Sequence, residues 1–430
     1  MKPCLHHLPL CLAALTLFSC ASRPVRTLDT ECRRLFPEGG PGAEVLIMKG
    51  DKVLFNKGYG LRVLPVSANA DTTRLAISDG TMFNIASCSK QFTAVAVLQL
   101  AERGLLDLDA PVNTYLPELT APLWDSVTVA HMLSHSSGIP DARGYLSREE
   151  RVRGTDSLAV AYMSCDVPFT LHFTPGTDYE YINPTFTLMG FLIERLTGEP
   201  FEDYMHNHLF LPAGMNRTLY FTPDKNIPLM AHAYEYGSLD GMGEEHHSIV
   251  LPSTAKTRQK DGKRTATTAN VNDEMTGTET DSSTDHDWYE YDYGEETFFA
   301  TRPDGGIYTS ASELVLWEKA LRRALSANAP RPAGTSGTLL GADLLRSAMS
   351  PHTTVSGSRW SDYQNRPGTY YGYGWFIEPD KGCIYHTGDN GGFKALMARY
   401  PKQELFVVIL ANRTDWDRYA LKTLIEQLFL

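Results

Sequence analysis

The β-rich segments of this sequence lie at its two ends, and a mostly helical section separates them. Two β-type runs flank Lys49-Gly50-Asp51 within residues 42–63, which predicts a β-hairpin. Further β-type runs fill residues 371–412, and a last helix is expected near 415–430. Strands at both ends with helices between them suggest one sheet assembled from both ends of the chain.

We therefore expect an α/β (α+β) fold in which an antiparallel sheet is flanked by helices. The sheet lobe would comprise about residues 41–104 and 300–430. Residues 105–250 lack long β-type runs and carry helical patterns at 126–139 and 183–198, so they are expected to form a helical lobe. The functional site would then lie in the cleft between the two lobes.

The first twenty residues are predicted to be a signal peptide. The apolar core LPLCLAALTLF is too short to span a bilayer and is typical of a signal segment. It ends at Ser19-Cys20, which resembles a bacterial lipoprotein signal and makes Cys20 a candidate for lipidation; plain cleavage near Ala21 is the alternative. Residues 21–40 are expected to be a linker. We expect an exported protein of the cell envelope or periplasm, with a lipid anchor as its only link to a membrane.

The charge balance excludes one class of partner and sets one segment apart. A formal net charge of −12 gives no support to nucleic-acid binding. Residues 251–297 are rich in threonine and have a basic block followed by an acidic block, which predicts a disordered or loosely held insert. Its end, DWYEYDYGEE, is aromatic and is expected to pack on the fold or line a rim. Within it, Asp285-His286-Asp287 is interpreted as a solvated acidic face rather than a metal site.

The cysteines outside the signal peptide are scattered. An exported protein can form disulfides, but the spacing assigns no pair and matches no metal site. We expect most of them to be small buried side chains. The four are Cys32, Cys88, Cys165 and Cys383.

Ser87 and Lys90, in the stretch FNIASCSKQFTA, are the first candidates for chemistry. Positions i and i+3 lie on one helix face, so the two side chains can meet if Ser87 opens the helix. The free N–H groups and partial positive charge of a helix N-terminus stabilise an oxyanion and disfavour an ammonium, so Lys90 could take the serine proton. The alternative is an ordinary helix start. The same spacing recurs at Ser253 and Lys256, but no buried helix follows there.

Two further short motifs hold polar side chains that could bind a substrate. Tyr181 and Asn183 are two residues apart, so in extended backbone they point the same way; a phenol near a lysine can relay protons, and an amide can bind a substrate carbonyl. The Tyr-x-Asn spacing recurs at residues 363–365, and the Pro-Gly before Tyr181 and the helix after it favour the first copy. His386-Thr387-Gly388 ends a predicted strand, where a cationic or donor side chain, a hydroxyl and a bare glycine could bind an anionic acyl substrate; a core histidine before a turn is the alternative.

The three motifs occur in order, and together the sequence resembles the serine penicillin-binding protein and β-lactamase superfamily, whose motifs are S-x-x-K, S-D-N and K-T-G. Tyr-x-Asn and His-Thr-Gly replace the last two here. This combination looks like the branch of class C β-lactamases, DD-carboxypeptidases and related esterases. The resemblance covers roughly residues 40–430 except the insert at 251–297. It implies a β-lactamase/transpeptidase-like fold for residues 41–430.

The resemblance implies roles for the first two motifs. Ser87 would be the acylated nucleophile and Lys90 its base. Tyr181 would pass the proton to the leaving group and then help to activate water. Asn183 would hold the substrate amide.

At the third motif, the resemblance implies that His386 and Thr387 meet a substrate carboxylate and that Gly388 leaves room for it. The backbone N–H groups of Ser87 and Asp389 would form the oxyanion hole. Only a protonated histidine carries the charge that attracts a carboxylate. We therefore expect binding of carboxylate-bearing peptides to weaken as the pH rises through about 6.5.

We expect an exported serine hydrolase that acts through an acyl-enzyme on D-alanyl peptides or related D-amino-acid amides. A histidine in the third motif occurs in some DD-carboxypeptidases and D-amino-acid peptidases, and no Glu-x-x-Leu-Asn follows Asn183 as in class A β-lactamases. The alternatives are a carboxylesterase of the same fold and a sensor that binds penicillin or cell-wall peptides without turnover. No metal or organic cofactor is implied, and the sequence does not fix the oligomeric state.

Overall fold

The computed structural model describes residues 23–64, 75–141, 170–221, 226–236, 248–251, 288–291, 302–326, 339–360 and 366–430. The signal peptide with Cys20, and the insert between 252 and 287, lie outside these ranges. No helix in the described ranges is long and apolar enough to cross a membrane.

The described residues form fourteen strands and ten α-helices, which occur in runs of like elements. The strands are β1 Ala43–Lys49, β2 Lys52–Tyr59, β3 Phe83–Asn84, β4 Leu219–Tyr220, β5 Tyr234–Tyr236, β6 Ser248–Leu251, β7 Trp288–Tyr291, β8 Ile307–Thr309, β9 Thr353–Thr354, β10 Tyr370–Tyr371, β11 Phe376–Glu378, β12 Cys383–Asn390, β13 Phe393–Tyr400 and β14 Leu405–Ala411. The α-helices are α1 Arg23–Leu35, α2 Lys90–Glu102, α3 Val129–Leu133, α4 Asn183–Thr197, α5 Phe201–Met205, α6 Leu211–Ala213, α7 Arg302–Gly305, α8 Ala311–Ser326, α9 Ala342–Ala348 and α10 Arg418–Phe429.

An eight-stranded antiparallel sheet is the centre of the fold, in the order β2-β1-β14-β13-β12-β11-β10-β9. Strand β1, from the N-terminal end, pairs with β14, from the C-terminal end, with Ala43 opposite Ala411. The predicted hairpin joins β1 to β2, and Gly50 has a φ of +56°, which glycine adopts at little cost. The predicted sheet from both chain ends is confirmed.

The two faces of this sheet carry separate apolar cores, because successive side chains of a strand point to opposite faces. On β1, Leu46 and Met48 belong to the larger core, which contains α2, α4 and α8. Val45 and Ile47 belong to the smaller core, which contains α1 and α10. Full burial of such a side chain stabilises the fold by roughly 1.5–3 kcal/mol. Helix α2 lies inside the larger core and is buried over most of its length, because its apolar residues lie on several sides.

The prediction of a linker at 21–40 is wrong, because residues Arg23–Leu35 form helix α1. Leu28 and Cys32 are fully buried in the smaller core. Asp29 accepts hydrogen bonds from Lys57 (2.5 Å) and from the hydroxyl of Tyr59 (2.7 Å) of β2. The many charged residues of this segment hid a sparse apolar stripe at three- and four-residue spacing, which one turn of helix per 3.6 residues brings to one face.

The helical section contains one helix within each predicted pattern: α3 covers only Val129–Leu133 of residues 126–139, and α4 covers Asn183–Thr197 of residues 183–198. Helix α4 ends at Gly198, whose φ of +72° makes a left-handed cap, and its N-terminal two-thirds are buried. The short strands β3, β8 and β4 form a three-stranded sheet in that order. The turn that precedes α2 follows directly after strand β3 of this sheet.

The aromatic end of the insert packs on the fold, as predicted. Strand β7 pairs with β5 and β6 in a second three-stranded sheet. Glu290 of β7 accepts a hydrogen bond from the Tyr234 hydroxyl at 3.0 Å and lies against His232. The Arg413 guanidinium lies 4.5 Å from the ring centroid of Trp288. These contacts fix one end of the insert to the body of the protein.

Three cysteines are described, and all three are buried free thiols, as expected. Burial raises the pKa of Cys32 and Cys88 to about 12 and that of Cys383 to about 11. These thiols therefore remain protonated and unreactive at neutral pH. Cys165 lies outside the described residues.

Candidate active site

The candidate nucleophile lies in a tight turn in front of the buried helix α2. Residues Ala86–Ser89 form a single 3₁₀ turn, and the α-helix begins directly at Lys90. Ala86 has a φ of +47°, which residues other than glycine rarely adopt. Such backbone strain costs about 1–3 kcal/mol and is found most often at functional sites. The strained turn leaves Ser87 half-buried at the mouth of the helix.

Lys90 meets Ser87 as predicted. Its Nζ atom lies 3.1 Å from Ser87 Oγ, and its side chain is 0% exposed. The Nζ atom also donates a hydrogen bond to the main-chain oxygen of Asp304 at 2.8 Å, and the Asp304 carboxylate lies 3.6 Å away. A positive charge on the amine would therefore have a buried counter-charge. Sequence reasoning missed Asp304, because its only signal was a position just before the Gly-Gly that leads into β8.

Tyr181 and Asn183 lie where the extended backbone at Ile182 turns into α4. Ile182 has φ −124° and ψ 111°, so its two neighbours are on the same side of the chain, as the spacing predicted. The ring centroid of Tyr181 lies 5.0 Å from Lys90 Nζ and 6.2 Å from the ring centroid of His386. The Oδ1 atom of Asn183 is buried and has no hydrogen-bond partner within the described residues. The structure thus brings the three predicted motifs together.

His386 is a fully buried side chain whose surroundings favour the neutral ring, whereas the sequence predicts a histidine that titrates near pH 6.5. Its Nδ1 atom lies 2.6 Å from the carbonyl oxygen of Thr387, which can only accept, so Nδ1 carries the proton. Its Nε2 atom lies 2.9 Å from the Tyr371 hydroxyl oxygen and, in this tautomer, accepts a hydrogen bond from that hydroxyl. Burial first, and then the nearby charge of Lys90, lower the pKa of His386 to about 3. Both ring nitrogens are occupied by the protein itself.

The hydroxyl of Thr387 and the backbone that follows it remain available to bind a substrate. The Oγ1 atom of Thr387 is buried and has no partner among the residues described. Strand β11 pairs with β12 only through Cys383–Tyr385, so the following residues of β12 have no strand partner on that side in the described structure. The Cys88 thiol donates to the His386 carbonyl at 3.4 Å, which holds this free edge against the nucleophile turn.

Gly388 brings β12 into contact with the nucleophile turn. A Cβ atom at Gly388 would lie 2.3 Å from the carbonyl oxygen of Ile85. The resemblance implied that this glycine leaves room for substrate, but its closest neighbour is the backbone beside Ser87. Arg418 donates to the Gly388 carbonyl at 3.0 Å and forms an ion pair with Asp389, which fixes the next residue of the strand. The oxyanion hole at the N–H groups of Ser87 and Asp389 stays a prediction.

His135 and Tyr371 complete the aromatic surroundings of the site, and sequence reasoning assigned neither a role. His135 is fully buried, and its Nδ1 atom accepts the N–H of Ile182 at 3.2 Å. Its ring centroid lies 4.2 Å from that of Tyr181 and 4.8 Å from that of Tyr371. Burial first, and then the charge of Lys90, lower the pKa of His135 well below its usual range. The stretch SHSSG around it was the available signal, but nothing local to it indicates Tyr181.

No group of three or more His, Cys, Asp or Glu side chains in the described part of the chain is arranged to hold a metal ion. The acidic triplet Asp285-His286-Asp287 lies outside that part. The expectation that no cofactor is needed stays a prediction.

Comparison with known families decides the assignment. The sequence model of the family Beta-lactamase matches residues 31–428. The chain belongs to the Beta-lactamase family. All three motifs fall inside the matched range, so the predicted membership of the serine β-lactamase and penicillin-binding protein superfamily is confirmed, and with it a hydrolase of that superfamily.

Curated relatives of this Beta-lactamase family member are distant. The chain is 24% identical over 397 residues to Penicillin-binding protein 4* of Bacillus subtilis (strain 168). The alignment covers 90% of this chain and 72% of that protein. It is 23% identical over 376 residues to Protein flp of Staphylococcus aureus (strain MW2), with coverage of 86% and 59%. The chain therefore spans under two thirds of the length of Protein flp.

Two solved structures have the same fold as this family member. The octameric penicillin-binding protein homologue from Pyrococcus abyssi superposes with a TM-score of 0.64 at 21% identity, over 92% of this chain and 74% of that one. The penicillin binding protein from Bacillus halodurans superposes with a TM-score of 0.64 at 22% identity, over 94% of this chain and 100% of that one. The predicted fold class, an antiparallel sheet flanked by helices with a helical lobe, is confirmed.

Proposed function

We propose that this chain is an exported serine hydrolase that forms an acyl-enzyme on Ser87 and cleaves D-amino-acid amides and short D-alanyl peptides. The observation that carries the acyl-enzyme is the 3.1 Å distance between Lys90 Nζ and Ser87 Oγ inside a buried site. A serine hydroxyl is a weak nucleophile until an adjacent base takes its proton, and Lys90 is positioned to do so. Export rests on residues 1–20 and the candidate lipidation site Cys20.

Acylation starts from the uncharged form of Lys90: Ser87 Oγ attacks the substrate carbonyl carbon, and its proton passes to Lys90 Nζ. The carboxylate of Asp304, 3.6 Å from Nζ, stabilises the resulting ammonium. The N–H groups of Ser87 and Asp389 would stabilise the oxyanion, at about 3 kcal/mol for each donor. The C–N bond then breaks, and the proton moves from Lys90 through the phenol of Tyr181 to the leaving amine.

Deacylation reverses this path with water. A water molecule adds to the ester carbonyl and gives its proton to Lys90 through Tyr181. The bond to Ser87 Oγ breaks, and the oxygen regains a proton from Lys90. The acid product leaves, and every group of the site returns to its starting state.

The unused polar atoms of the site favour an amide substrate. Asn183 Oδ1 can accept an amide N–H, and the Thr387 hydroxyl can donate to a carbonyl or carboxylate oxygen. Neither atom has a partner among the described residues, and a buried polar atom left unpaired costs about 1–3 kcal/mol. Because His386 is neutral, the site does not attract a terminal carboxylate through that residue. We therefore expect D-alanyl amides to be cleaved about as efficiently as peptides with a free carboxyl end.

A carboxylesterase is the second candidate, and the neutral His386 is the observation that favours it. An uncharged acyl ester needs no cation beside β12. An ester also lacks the N–H that Asn183 could accept, so an esterase would leave that atom unpaired. The name of the relative Penicillin-binding protein 4* supports the peptide candidate instead.

The acyl-enzyme is tested by labelling the purified protein with a fluorescent fluorophosphonate and mapping the adduct by mass spectrometry. Labelling should be lost in Ser87→Ala and retained in Ser253→Ala, which removes the same S-x-x-K spacing in the insert. An adduct on any serine other than Ser87 would contradict the assignment.

The substrate class is tested with D-Ala-D-Ala, its C-terminal amide, nitrocefin and a p-nitrophenyl acyl ester. Faster turnover of the two D-alanyl compounds supports the proposal, and turnover of the ester alone supports the esterase. Labelling of Ser87 without turnover of any compound would instead indicate a sensor.

A further inference from the structure

Asn84, on the short strand β3, contacts three separate parts of the active site through one side chain. It is 3% exposed and lies three residues before Ser87. We propose that Asn84 is a positioning residue that sets the spacing between the two backbone N–H groups of the oxyanion hole. This inference rests on the proposed function, because it assumes a hole formed by the N–H groups of Ser87 and Asp389.

The Oδ1 atom of Asn84 joins the two segments that supply these donors. It accepts the backbone N–H of Ala86 at 2.8 Å, one residue before Ser87. It also accepts the side-chain Nδ2 of Asn390 at 3.2 Å, one residue after Asp389. A single buried oxygen therefore links the nucleophile turn, from the beginning of the chain, to strand β12, from its end.

The same oxygen supports a strained backbone. Ala86 has a φ of +47°, a conformation that the turn keeps only if its surroundings hold it. The hydrogen bond from the Ala86 N–H is part of that support. If it is lost, the turn can relax to an ordinary conformation, and the N–H of Ser87 changes direction.

The Nδ2 atom of Asn84 reaches the lysine side of the site. It donates to the carbonyl oxygen of Gly305 at 3.2 Å. The preceding residue, Asp304, accepts a hydrogen bond from Lys90 Nζ through its own carbonyl at 2.8 Å. Asn84 thus fixes the oxyanion donors relative to the base as well as to each other.

The three contacts require an amide. Oδ1 must accept twice, and Nδ2 must donate to a carbonyl oxygen, which cannot donate in return. Aspartate at this position would keep the acceptor and the shape but turn a carboxylate oxygen towards the Gly305 carbonyl. Asn84→Asp is therefore the sharpest variant, because with almost no change in volume it places a carboxylate oxygen against the Gly305 carbonyl oxygen. The repulsion between these two oxygens displaces the side chain, and with it Oδ1, from the Ala86 N–H and the Asn390 amide.

Asn412 offers a control, since it is a fully buried asparagine outside the site whose Oδ1 also accepts a backbone N–H and whose Nδ2 also donates to backbone carbonyls. Its Oδ1 accepts the N–H of Gly42 at 2.7 Å, and its Nδ2 donates to the carbonyls of Leu61 at 3.0 Å and His232 at 2.9 Å. Asn412→Asp should disturb folding as much as Asn84→Asp does, without changing the oxyanion hole.

The experiment measures kcat and KM for D-Ala-D-Ala amide and the rate of fluorophosphonate labelling, per folded molecule, in the wild type and both variants. We expect Asn84→Asp to lower kcat and the labelling rate by about 10- to 1,000-fold, up to the loss of a full oxyanion donor, with KM changed less than about threefold. Asn412→Asp should leave both rates within about twofold of the wild type.

Equal losses of kcat in the two aspartate variants, or a rise in KM with kcat unchanged, would overturn the proposal. If Asn84→Asp does not fold, Asn390→Ala removes only one of the three contacts and should lower kcat about threefold or more; an unchanged kcat there would also overturn it. Absence of any Ser87 adduct in the wild type would instead remove the proposed function itself.

Discussion

The neutrality of His386 makes a quantitative prediction about pH. The perturbation is a change from pH 5.5 to pH 7.5, and the measured quantity is the ratio of kcat/KM for D-Ala-D-Ala to kcat/KM for its C-terminal amide. The two substrates differ only in the terminal charge. Any pH effect on the shared chemistry of Ser87 and Lys90 therefore cancels in the ratio.

The magnitude follows from the pKa of His386. With an ordinary pKa of about 6.5, the protonated fraction would fall from about 0.9 to about 0.1 over this range, and a preference for carboxylate that depends on it would fall about tenfold. With a pKa lowered to about 3, His386 is less than about 1% protonated at both pH values. The protonated form exists only at much lower pH, so we expect the ratio to change less than about twofold.

His386→Lys is the matched variant, because it restores a cation at the same position on β12. An ammonium there should raise the ratio by about tenfold or more across the whole pH range. The assay is steady-state hydrolysis of both substrates by both proteins. A wild-type ratio that falls about tenfold as the pH rises would refute the neutral assignment and return the carboxylate-reading role to His386.

Other substitutions test the remaining parts of the site and the fold. Lys90→Met should lower kcat/KM by about 10²- to 10⁴-fold and also lower the melting temperature, because the Asp304 carboxylate loses its counter-charge; adding Asp304→Asn should restore the melting temperature but not the activity. Gly388→Ala should lower kcat by at least about tenfold, because its Cβ would lie 2.3 Å from a backbone oxygen, whereas Gly40→Ala, with its nearest atom at 3.9 Å, should leave kcat unchanged. Leu28→Ala should lower the free energy of unfolding by about 2–5 kcal/mol in urea titrations, and a loss below about 0.5 kcal/mol would mean that α1 is no part of the folded unit.

The parts of the site that depend on local spacing could be predicted from the sequence. Ser87 and Lys90 are one helical turn apart, and Tyr181 and Asn183 are two residues apart in extended backbone, so helix and strand geometry decide which way they face. The hairpin at Gly50 was predictable for the same reason.

The parts that depend on contacts between distant segments could not be predicted. The charge state of His386 is set by its burial and then by the nearby charge of Lys90, and its Nε2 atom meets the hydroxyl of Tyr371 from β10, two strands away in the sheet. None of these contacts is visible in the residues beside His386. Asp304 lies more than 200 positions from the lysine that it contacts. Helix α1 was missed for a different reason, because its apolar stripe is narrow and Leu28 and Cys32 are buried only once the sheet and α10 exist to cover them.

The pairing of β1 with β14 has a consequence for how the chain folds during its synthesis. Strand β1 cannot be covered on its inner edge until residues near 411 have been synthesised, and the nucleophile turn cannot meet Gly388 until that residue has been synthesised. Contacts between such distant segments form late, because a long loop must close first. A growing chain therefore contains Ser87 and Lys90 for most of its synthesis before the strand that packs beside them has been made.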